Sequence, residues 1–353
     1  MPTIDQLHAQ LDKLAAFDAG PFPVVSLYLD LRPNERGRDN FEPFLRKELG
    51  ERARTYRASG PERQSLEKDL ARIQSHVASL DASLNGLALF ASSGANLFET
   101  VELAAPVVGH KLYISTQAHL YPLARLLDEY PRYLALLADT HSARIFVFAA
   151  NAIERTNQVE GIKTRRHKMG GWSQARYQRH MDNYHLQHAK EVVDAVSRLV
   201  RDEGIDRIVL AGDEVIVPLL REQLPKEIAD RIVDVLKLDI RAPERDVLET
   251  TLAALREQDA AGDRERVDAL LDAYRSGGLA CAGLVATKRA FELGQVDELL
   301  VPASPAAIAN ADEKAADELV VLARQTGARI RFIEDDRLLS PVGGVGAFLR
   351  FKL

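Results

Sequence analysis

The residues of this chain that could do chemistry are concentrated in one short segment, residues 167–179. The segment reads His167-Lys168-Met169-Gly170-Gly171-Trp172-Ser173-Gln174-Ala175-Arg176-Tyr177-Gln178-Arg179. The amide of Gln174 does not titrate, so it cannot be a general base, but it can orient a water molecule or place donors near a developing oxyanion. The two glycines allow positive φ angles and a close approach to a partner. These features indicate a positioning role rather than proton transfer.

Basic residues dominate the same part of the chain. Seven Lys and Arg residues and one acid, Asp182, lie between Lys163 and Lys190. Arg176 and Arg179 would share one face of a helix that begins near Ser173, its predicted N-cap. Because the whole chain carries a net charge of −6, one basic stripe indicates a single surface for an anionic partner such as RNA. The alternative is a solvated basic helix face. The candidate RNA-binding residues are Arg165, Arg166, His167, Lys168, Trp172, Ser173, Arg176 and Arg179.

Trp172 is the only tryptophan of the chain. It follows two glycines in a polar segment, not in an apolar stripe, which favours stacking on a base or a sugar edge. Packing against its own domain is the alternative.

Other chemistries find little support in the sequence. There is no phosphate-binding G-x-x-x-x-G-K-[ST] motif and no G-x-S-x-G nucleophile motif. The run from Gly343 to Gly346 lacks the third glycine of a dinucleotide-binding motif, so a turn before the last strand is the better interpretation. His185 and His188 share a helix face but have only Asp182 nearby, which disfavours a metal site. Cys281 has small apolar neighbours, which favours a buried bystander over a nucleophile. We therefore expect no cofactor and no metal.

Three stretches of different pattern must position this segment, and together they predict an α/β fold with mixed sheets flanked by helices. The first, 1–125, has an opening helix, strands around Val24–Asp30, 87–90, 97–103 and 111–114, and two helices separated by Gly60-Pro61. The second, 126–260, has a hairpin, the basic segment, a long helix to Asp202 and an apolar strand at 207–212 that predicts a mainly parallel sheet. The third, 261–353, alternates helices and strands and ends in a strand at 345–351.

Composition sets further limits. At 353 residues, 46% hydrophobic and 28% charged, the chain is long enough for two or three globular domains, which excludes disordered and collagen-like classes. One cysteine excludes an internal disulfide framework. No apolar run is long enough to cross a membrane and no signal peptide is visible. These features predict a cytoplasmic protein that does not bind membranes.

The basic segment resembles that of the archaeal and eukaryotic class-I release factors and their Pelota relatives. In that family the middle domain carries His-x-x-Gly-Gly-Gln-Ser-x-x-Arg-Phe-x-Arg. The glycine, serine and arginine frame of 167–179 aligns with it, but Trp172 occupies the position of the family's glutamine. Vms/ANKZF-type peptidyl-tRNA hydrolases and their bacterial relatives instead have a Gly-x-x-Gln loop, which Gly171-Trp172-Ser173-Gln174 matches.

The end of the chain is similar to the same family. Gly343-Gly344-Val345-Gly346-Ala347-Phe348-Leu349-Arg350-Phe351 resembles the last strand of the release-factor C-terminal domain, and residues 290–300 resemble its helix–strand junction. The Asn-Ile-Lys-Ser loop that reads stop codons in that family does not occur in residues 1–125. The resemblance therefore implies a three-domain architecture: an N-terminal domain at 1–125 without codon reading, a middle domain at 126–260 and a C-terminal domain at 261–353.

The resemblance implies a ribosome-binding translation factor, for which three functions stay open. The first is ribosome rescue, in which Gly170, Gly171 and Gln174 would promote hydrolysis of the ester of stranded peptidyl-tRNA in the peptidyl-transferase centre. The second is a non-catalytic, Balon-like hibernation factor that occupies the A site, with Trp172 marking the loss of hydrolysis. The third is an interaction module that recruits a partner through its C-terminal domain. The implied partners are ribosomal RNA, peptidyl-tRNA and, as a further candidate, a translational GTPase.

Overall fold

The helices and strands of this chain form two compact units. The computed structural model describes residues 2–33, 41–55, 60–81, 84–160, 174–309 and 313–352. One unit is made of residues 1–129 together with 260–353, and the other of residues 130–259. Within the described ranges, no helix combines the length and the apolar composition that a membrane crossing needs.

The N-terminal part of the first unit is built on a four-stranded antiparallel sheet. Its elements are α1 (Ile4–Ala15), β1 (Val24–Asp30), α2 (Phe41–Thr55), α3 (Pro61–Val77), β2 (Gly86–Ser92), β3 (Leu97–Leu103), β4 (Lys111–Ser115) and α4 (Tyr121–Glu129). The strand order is β3-β2-β1-β4. Apolar residues of α2 and α3, including Leu45 and Ile73, pack with Leu27 of β1 and Leu89 of β2. The four predicted strands and the pair of helices on either side of Gly60-Pro61 are confirmed, whereas the sequence analysis did not identify α4.

The second unit is a five-stranded sheet between helices. Its elements are β5 (Tyr133–Ala138), β6 (Ser142–Ala149), β7 (Ala152–Glu160), α5 (Gln174–Asp202), β8 (Ile208–Gly212), α6 (Ile216–Gln223), α7 (Lys226–Ala229), β9 (Ile232–Leu236) and the part of α8 (Glu244–Arg275) that precedes residue 260. The rest of α8 belongs to the first unit. The β5–β6 hairpin is confirmed, and its turn is held by Asp139, whose Oδ1 accepts the amides of His141 and Ser142 at 2.8 and 2.7 Å. Neither β7 nor the elements from α6 to β9 were predicted.

The prediction that this sheet is mainly parallel is wrong. The strand order is β7-β6-β5-β8-β9, in which β5–β8 and β8–β9 are parallel but β5–β6 and β6–β7 are antiparallel. The apolar runs of β5 and β8 come from burial on both faces. One face packs against α5 and α6, and the other packs against Val247 and Leu255 of α8. Two-sided burial produces the same sequence pattern as parallel pairing.

The C-terminal part of the first unit has a second four-stranded sheet. It contains β10 (Ala280–Ala282), α9 (Leu284–Glu292), β11 (Val296–Pro302), α10 (Glu313–Thr326), β12 (Arg329–Ile333) and β13 (Gly346–Leu349). The order is β10-β13-β11-β12, and only β11–β12 is parallel. The strands β11, β12 and β13 are confirmed, whereas β10 was not predicted. Three sheets flanked by helices confirm the α/β class with mixed sheets.

The glycine-rich segment before β13 is a turn, as expected. Gly343 and Gly344 have φ angles of +72° and +83°, a region that glycine occupies at low cost. A Cβ on Gly344 would lie 2.2 Å from the carbonyl oxygen of Ala307. A strand follows this turn, not the helix that a dinucleotide-binding motif requires.

Candidate functional site

The predicted site segment connects β7 to α5 in the second unit. Most of it lies outside the described residues, namely Arg165, Arg166, His167, Lys168, Gly170, Gly171, Trp172 and Ser173. Gln174, Arg176 and Arg179 lie in the first turns of α5, where the backbone but not the side chains is described. The glycine-hinged loop and the roles of its residues therefore stay predictions. The start of α5 at Gln174 places this residue at the junction of the segment with the helix.

The strand that leads into the segment lies at an edge of the sheet. Among the strands of the described residues, β7 pairs with β6 alone, from Ala149↔Ala152 to Ser142↔Glu160. Its side chains are exposed or half-buried along its whole length. The tight turn before it has left-handed φ angles at Ala150 (+47°) and Asn151 (+64°). Such a turn usually contains Asn-Gly or Asp-Gly, so an alanine in its first position hides the hairpin from sequence analysis.

The helix that follows the segment is anchored at its far half. From Ala189 to Val200, α5 contributes a stripe of buried residues, including Val192 and Val196, to the core beside β5, β6 and β8. Between Asn183 and Gln187, the side chains are exposed or half-buried. At 1.5 Å per residue, Gln174 lies about 21 Å along the helix axis from His188, the first deeply buried residue. The core therefore fixes the direction of α5 through its far half.

The start of α5 has an electrostatic preference of its own. The first backbone amides of a helix lack helical partners, and the helix dipole gives that end a partial positive charge. Helix N-termini bind phosphates for this reason. Arg176 and Arg179 add two full positive charges within the first two turns, and no acid stands among the first eight residues of α5. This end of the helix therefore favours an anionic partner.

His185 and His188, which share a face of α5, have different surroundings. His188 is only 2% exposed, and neither of its ring nitrogens has a hydrogen-bond partner among the described residues. The ring of His185 lies 6.4 Å from that of His141 on the β5–β6 turn, measured between centroids. In the described part of the chain, no three His, Cys, Asp or Glu side chains come together in a way that could hold a metal ion.

Cys281 lies on β10 in the first unit. It is partly buried, and its Sγ lies 3.8 Å from the hydroxyl of Thr287. Burial raises the pKa of its thiol, which lowers the thiolate fraction that a nucleophile needs. The structure thus agrees with an inert cysteine.

Comparison with known proteins gives matches for the second unit and for the whole chain. Residues 119–256 match the family described as bacterial archaeo-eukaryotic release factor family 10. The peptide chain release factor subunit 1 of Aeropyrum pernix is 23% identical over 372 aligned residues, which cover 99% of this chain and 95% of that protein.

Two solved structures show a remoter likeness. An archaeal translation termination factor, aRF1, is 18% identical, with 99% of both chains covered and a TM-score of 0.30. Archaeal Pelota, in a model of ribosome-bound archaeal Pelota and ABCE1, is 14% identical, with 99% of this chain and 95% of that chain covered and a TM-score of 0.46. At such scores the superpositions themselves carry no argument about this chain.

Proposed function

Because this chain is a member of the release-factor-like superfamily, we propose that it is a translation factor that binds the ribosome and hydrolyses stranded peptidyl-tRNA. The single observation that carries this proposal is the position of Gln174 in the second unit. It begins a helix whose far half is fixed in the core, and it is the glutamine of the Gly-x-x-Gln pattern of peptidyl-tRNA hydrolases.

The reaction needs positioning more than acid–base chemistry, because the ester that joins peptide to tRNA is already activated. The water oxygen forms a bond to the ester carbonyl carbon, the bond to the ribose oxygen breaks, and that oxygen leaves with a proton. Gln174 orients the water, and backbone groups around Gly170 and Gly171 approach the reacting centre closely. Ribosomal RNA supplies further polar groups at this site.

The basic residues have a separate task in this proposal. Arg176 and Arg179, at the positive end of α5, bind phosphates of ribosomal RNA together with Arg165, Arg166 and Lys168. Phosphate contacts give affinity and register without reading sequence. This agrees with the lack of a stop-codon-reading motif in residues 1–125, so the factor would enter ribosomes whatever codon they display. A translational GTPase is a candidate partner for delivery.

The experiment compares Gln174→Ala with Gln178→Ala, a matched substitution one turn further along α5. Stalled ribosome–nascent-chain complexes are incubated with each protein, and free peptide and ribosome co-sedimentation are measured in the same samples. We expect Gln174→Ala to lose at least about 100-fold in release rate, the scale of removing one oriented polar group, and to sediment like the wild type. Gln178→Ala should release peptide normally. Equal release by the two variants would remove Gln174 from the mechanism.

A second candidate function, hibernation, rests on Trp172. This residue stands where the release factors have glutamine, so the segment could fill the A site without reacting. Tight binding of the wild type to vacant ribosomes, with no peptide released from stalled complexes, would favour hibernation. Failure to sediment with ribosomes even at low salt would favour the interaction module instead.

A further inference from the structure

A small cavity in the first unit is lined by residues that are distant in sequence from the segment 167–179. It is lined by residues 106–108 before β4, the first half of β4, one face of α4 and the turn after β11, residues 303–305. Its volume is about 150 Å³. A cavity of this size in another protein holds one benzene ring, so the space fits a single ring and little more.

The walls of the cavity combine flat apolar surfaces with one aromatic stack. Pro122 and Pro305 contribute to the lining. The rings of Tyr113 and His119 are stacked with their centroids 3.6 Å apart. Flat, mostly apolar walls with a few polar groups are typical of small-molecule sites.

His119 is the first of three nitrogen donors at this cavity. Its backbone is fixed at both ends, since its amide donates to the Ser26 hydroxyl at 2.9 Å and its carbonyl accepts from the Tyr28 hydroxyl at 2.6 Å. The side chain is 7% exposed, and its Nδ1 lies 3.6 Å from Asp317 of α10. Burial lowers the pKa of His119 to about 4, so the ring is neutral near pH 7 and can donate from one nitrogen.

Arg125 and Lys111 provide the other two donors. Arg125 is fixed by one terminal nitrogen, which donates to the Ala303 carbonyl at 3.0 Å, and by a looser pair with Glu334 at 3.3 Å. Its Nε is buried without a partner among the residues described. For the Lys111 ammonium, the described residues provide no carboxylate partner, and its charge is close enough to lower the pKa of His119. Glu129 is the acid that lines the cavity.

An unpartnered buried donor costs free energy that an acceptor recovers. Arg125 Nε is such a donor. Together with the half-buried Lys111 and the neutral ring of His119, it favours a ligand with more than one oxygen acceptor, and Lys111 favours a negative charge. We propose that this cavity binds a ring-sized organic oxyanion, whose ring lies against the apolar walls and whose oxygens accept from Lys111, Arg125 and His119. The chemistry fits both a carboxylate and a phosphate ester. The ligand would join parts of the chain that are almost 200 residues apart in sequence.

The test uses benzoate, phenyl phosphate and the neutral analogue benzamide, with the intact protein and no ribosomes. Binding is followed by calorimetric titration and by the methyl resonances of Val108 and Leu126, which line the cavity. The variant Lys111→Met keeps the apolar stem and removes the charge. Lys68→Met, at an exposed lysine of α3 in the same unit, is its matched control.

We expect at least one of the two anions to bind at least about tenfold more tightly than benzamide and to shift both methyl resonances. Lys111→Met should weaken that binding about tenfold, whereas Lys68→Met should leave it unchanged. Preference for benzoate would identify a carboxylate site, and preference for phenyl phosphate a phosphate-ester site. Equal binding of benzamide, equal effects of the two lysine variants, or no binding of either anion at about 10 mM would overturn the proposal.

Discussion

At the scale of single residues, Asp317 and His119 are a buried pair of titratable side chains in the first unit. The carboxylate of Asp317 accepts the amides of Leu120 and Tyr121, the latter at 2.9 Å, and so caps the start of α4. Burial nevertheless raises its pKa to about 7, with a smaller contribution from Glu318. Burial and then the nearby charge of Lys111 lower the pKa of His119 to about 4. Both residues therefore favour their neutral forms.

These two shifts predict opposite dependences of stability on pH. Between about pH 4 and 6.5, His119 is protonated in the unfolded chain but not in the folded chain. Its contribution to the free energy of unfolding therefore decreases as the pH falls. Between about pH 4 and 7, Asp317 is protonated in the folded chain but not in the unfolded chain. Its contribution to the free energy of unfolding therefore increases as the pH falls. In the wild type the two contributions largely cancel.

Substituting Asp317 or His119 separates their two contributions to the pH dependence of stability. Relative to the wild type, Asp317→Asn should lose stability on acidification from pH 6.5 to 5, by up to about 1.4 kcal/mol per pH unit. His119→Gln should show a difference of the opposite sign over the same range. Urea unfolding at several pH values measures both. If the curve of either variant runs parallel to that of the wild type, its substituted residue does not titrate as described.

Residue patterns predicted the candidate site and missed this pair for a physical reason. The glycines, Gln174 and the arginines lie within 15 consecutive residues, so their spacing alone indicates shared chemistry. Asp317 and His119 are far apart in sequence and meet only because α10 packs beside the start of α4. Neither has a local pattern that distinguishes it from a surface residue. The cavity beside them is equally a product of tertiary packing.

At the scale of elements, periodicity predicted what it could. The helices α2 and α3 and the strands β1 to β4 have clear apolar patterns bounded by turn residues, and the structure confirms them. β7 was not predicted because an edge strand with exposed side chains has no alternation of apolar and polar residues to detect. The parallel sheet was predicted wrongly because burial on both faces, which β5 shares with β8, is not specific to parallel pairing.

The turn before β13 carries the element-scale prediction. Gly344→Ala would place a methyl group 2.2 Å from the Ala307 carbonyl oxygen and 2.8 Å from the Ile308 Cα. Because both neighbours are backbone, they cannot move aside as a flexible side chain could. We expect a loss of more than about 2 kcal/mol in the free energy of unfolding, from overpacking added to backbone strain.

Gly109→Ala is the matched control for this clash. Gly109 has a similar φ of +70°, but a Cβ there would meet nothing within 4 Å. Its cost should be the strain alone, about 1 kcal/mol. Urea-unfolding midpoints compare the two variants, and equal midpoints would show that the close approach at Gly344 contributes nothing.

At the scale of the whole molecule, the charge distribution governs the proposed encounter with RNA. The chain carries a net charge of −6, so most of its surface should be repelled by phosphates while residues 163–190 are attracted. A protein with one basic region binds in one orientation, because other orientations bring like charges together.

The salt dependence of ribosome binding tests whether the basic segment contacts phosphates. Each phosphate contact contributes about −0.7 to −0.9 to the slope of log affinity against log salt. Replacing the five proposed phosphate-binding residues by glutamine should therefore make the slope for ribosome binding shallower by about 3.5 to 4.5. Those residues are Arg165, Arg166, Lys168, Arg176 and Arg179.

The control changes net charge equally at exposed basic residues elsewhere. Those residues are Lys47, Lys68, Lys226, Arg264 and Lys314. Their replacement by glutamine should leave the slope nearly unchanged. A similar change of slope in both variants would mean that total charge, not the basic segment, drives binding.

The distance along α5 from its buried stretch to Gln174 makes the position of Gln174 sensitive to the direction of the helix. Over about 21 Å from His188 to Gln174, a tilt of about 5° would displace the Gln174 end by nearly 2 Å. A misplacement of about 1 Å can cost 100-fold in a reaction that depends on orientation. Hydrophobic packing of the far half of α5 is thus too distant to position the Gln174 amide accurately by itself. We expect ribosomal RNA bound at the N-terminal end of α5 to position this amide. The protein should therefore not hydrolyse esters in free solution, and should do so only when it is bound to the ribosome.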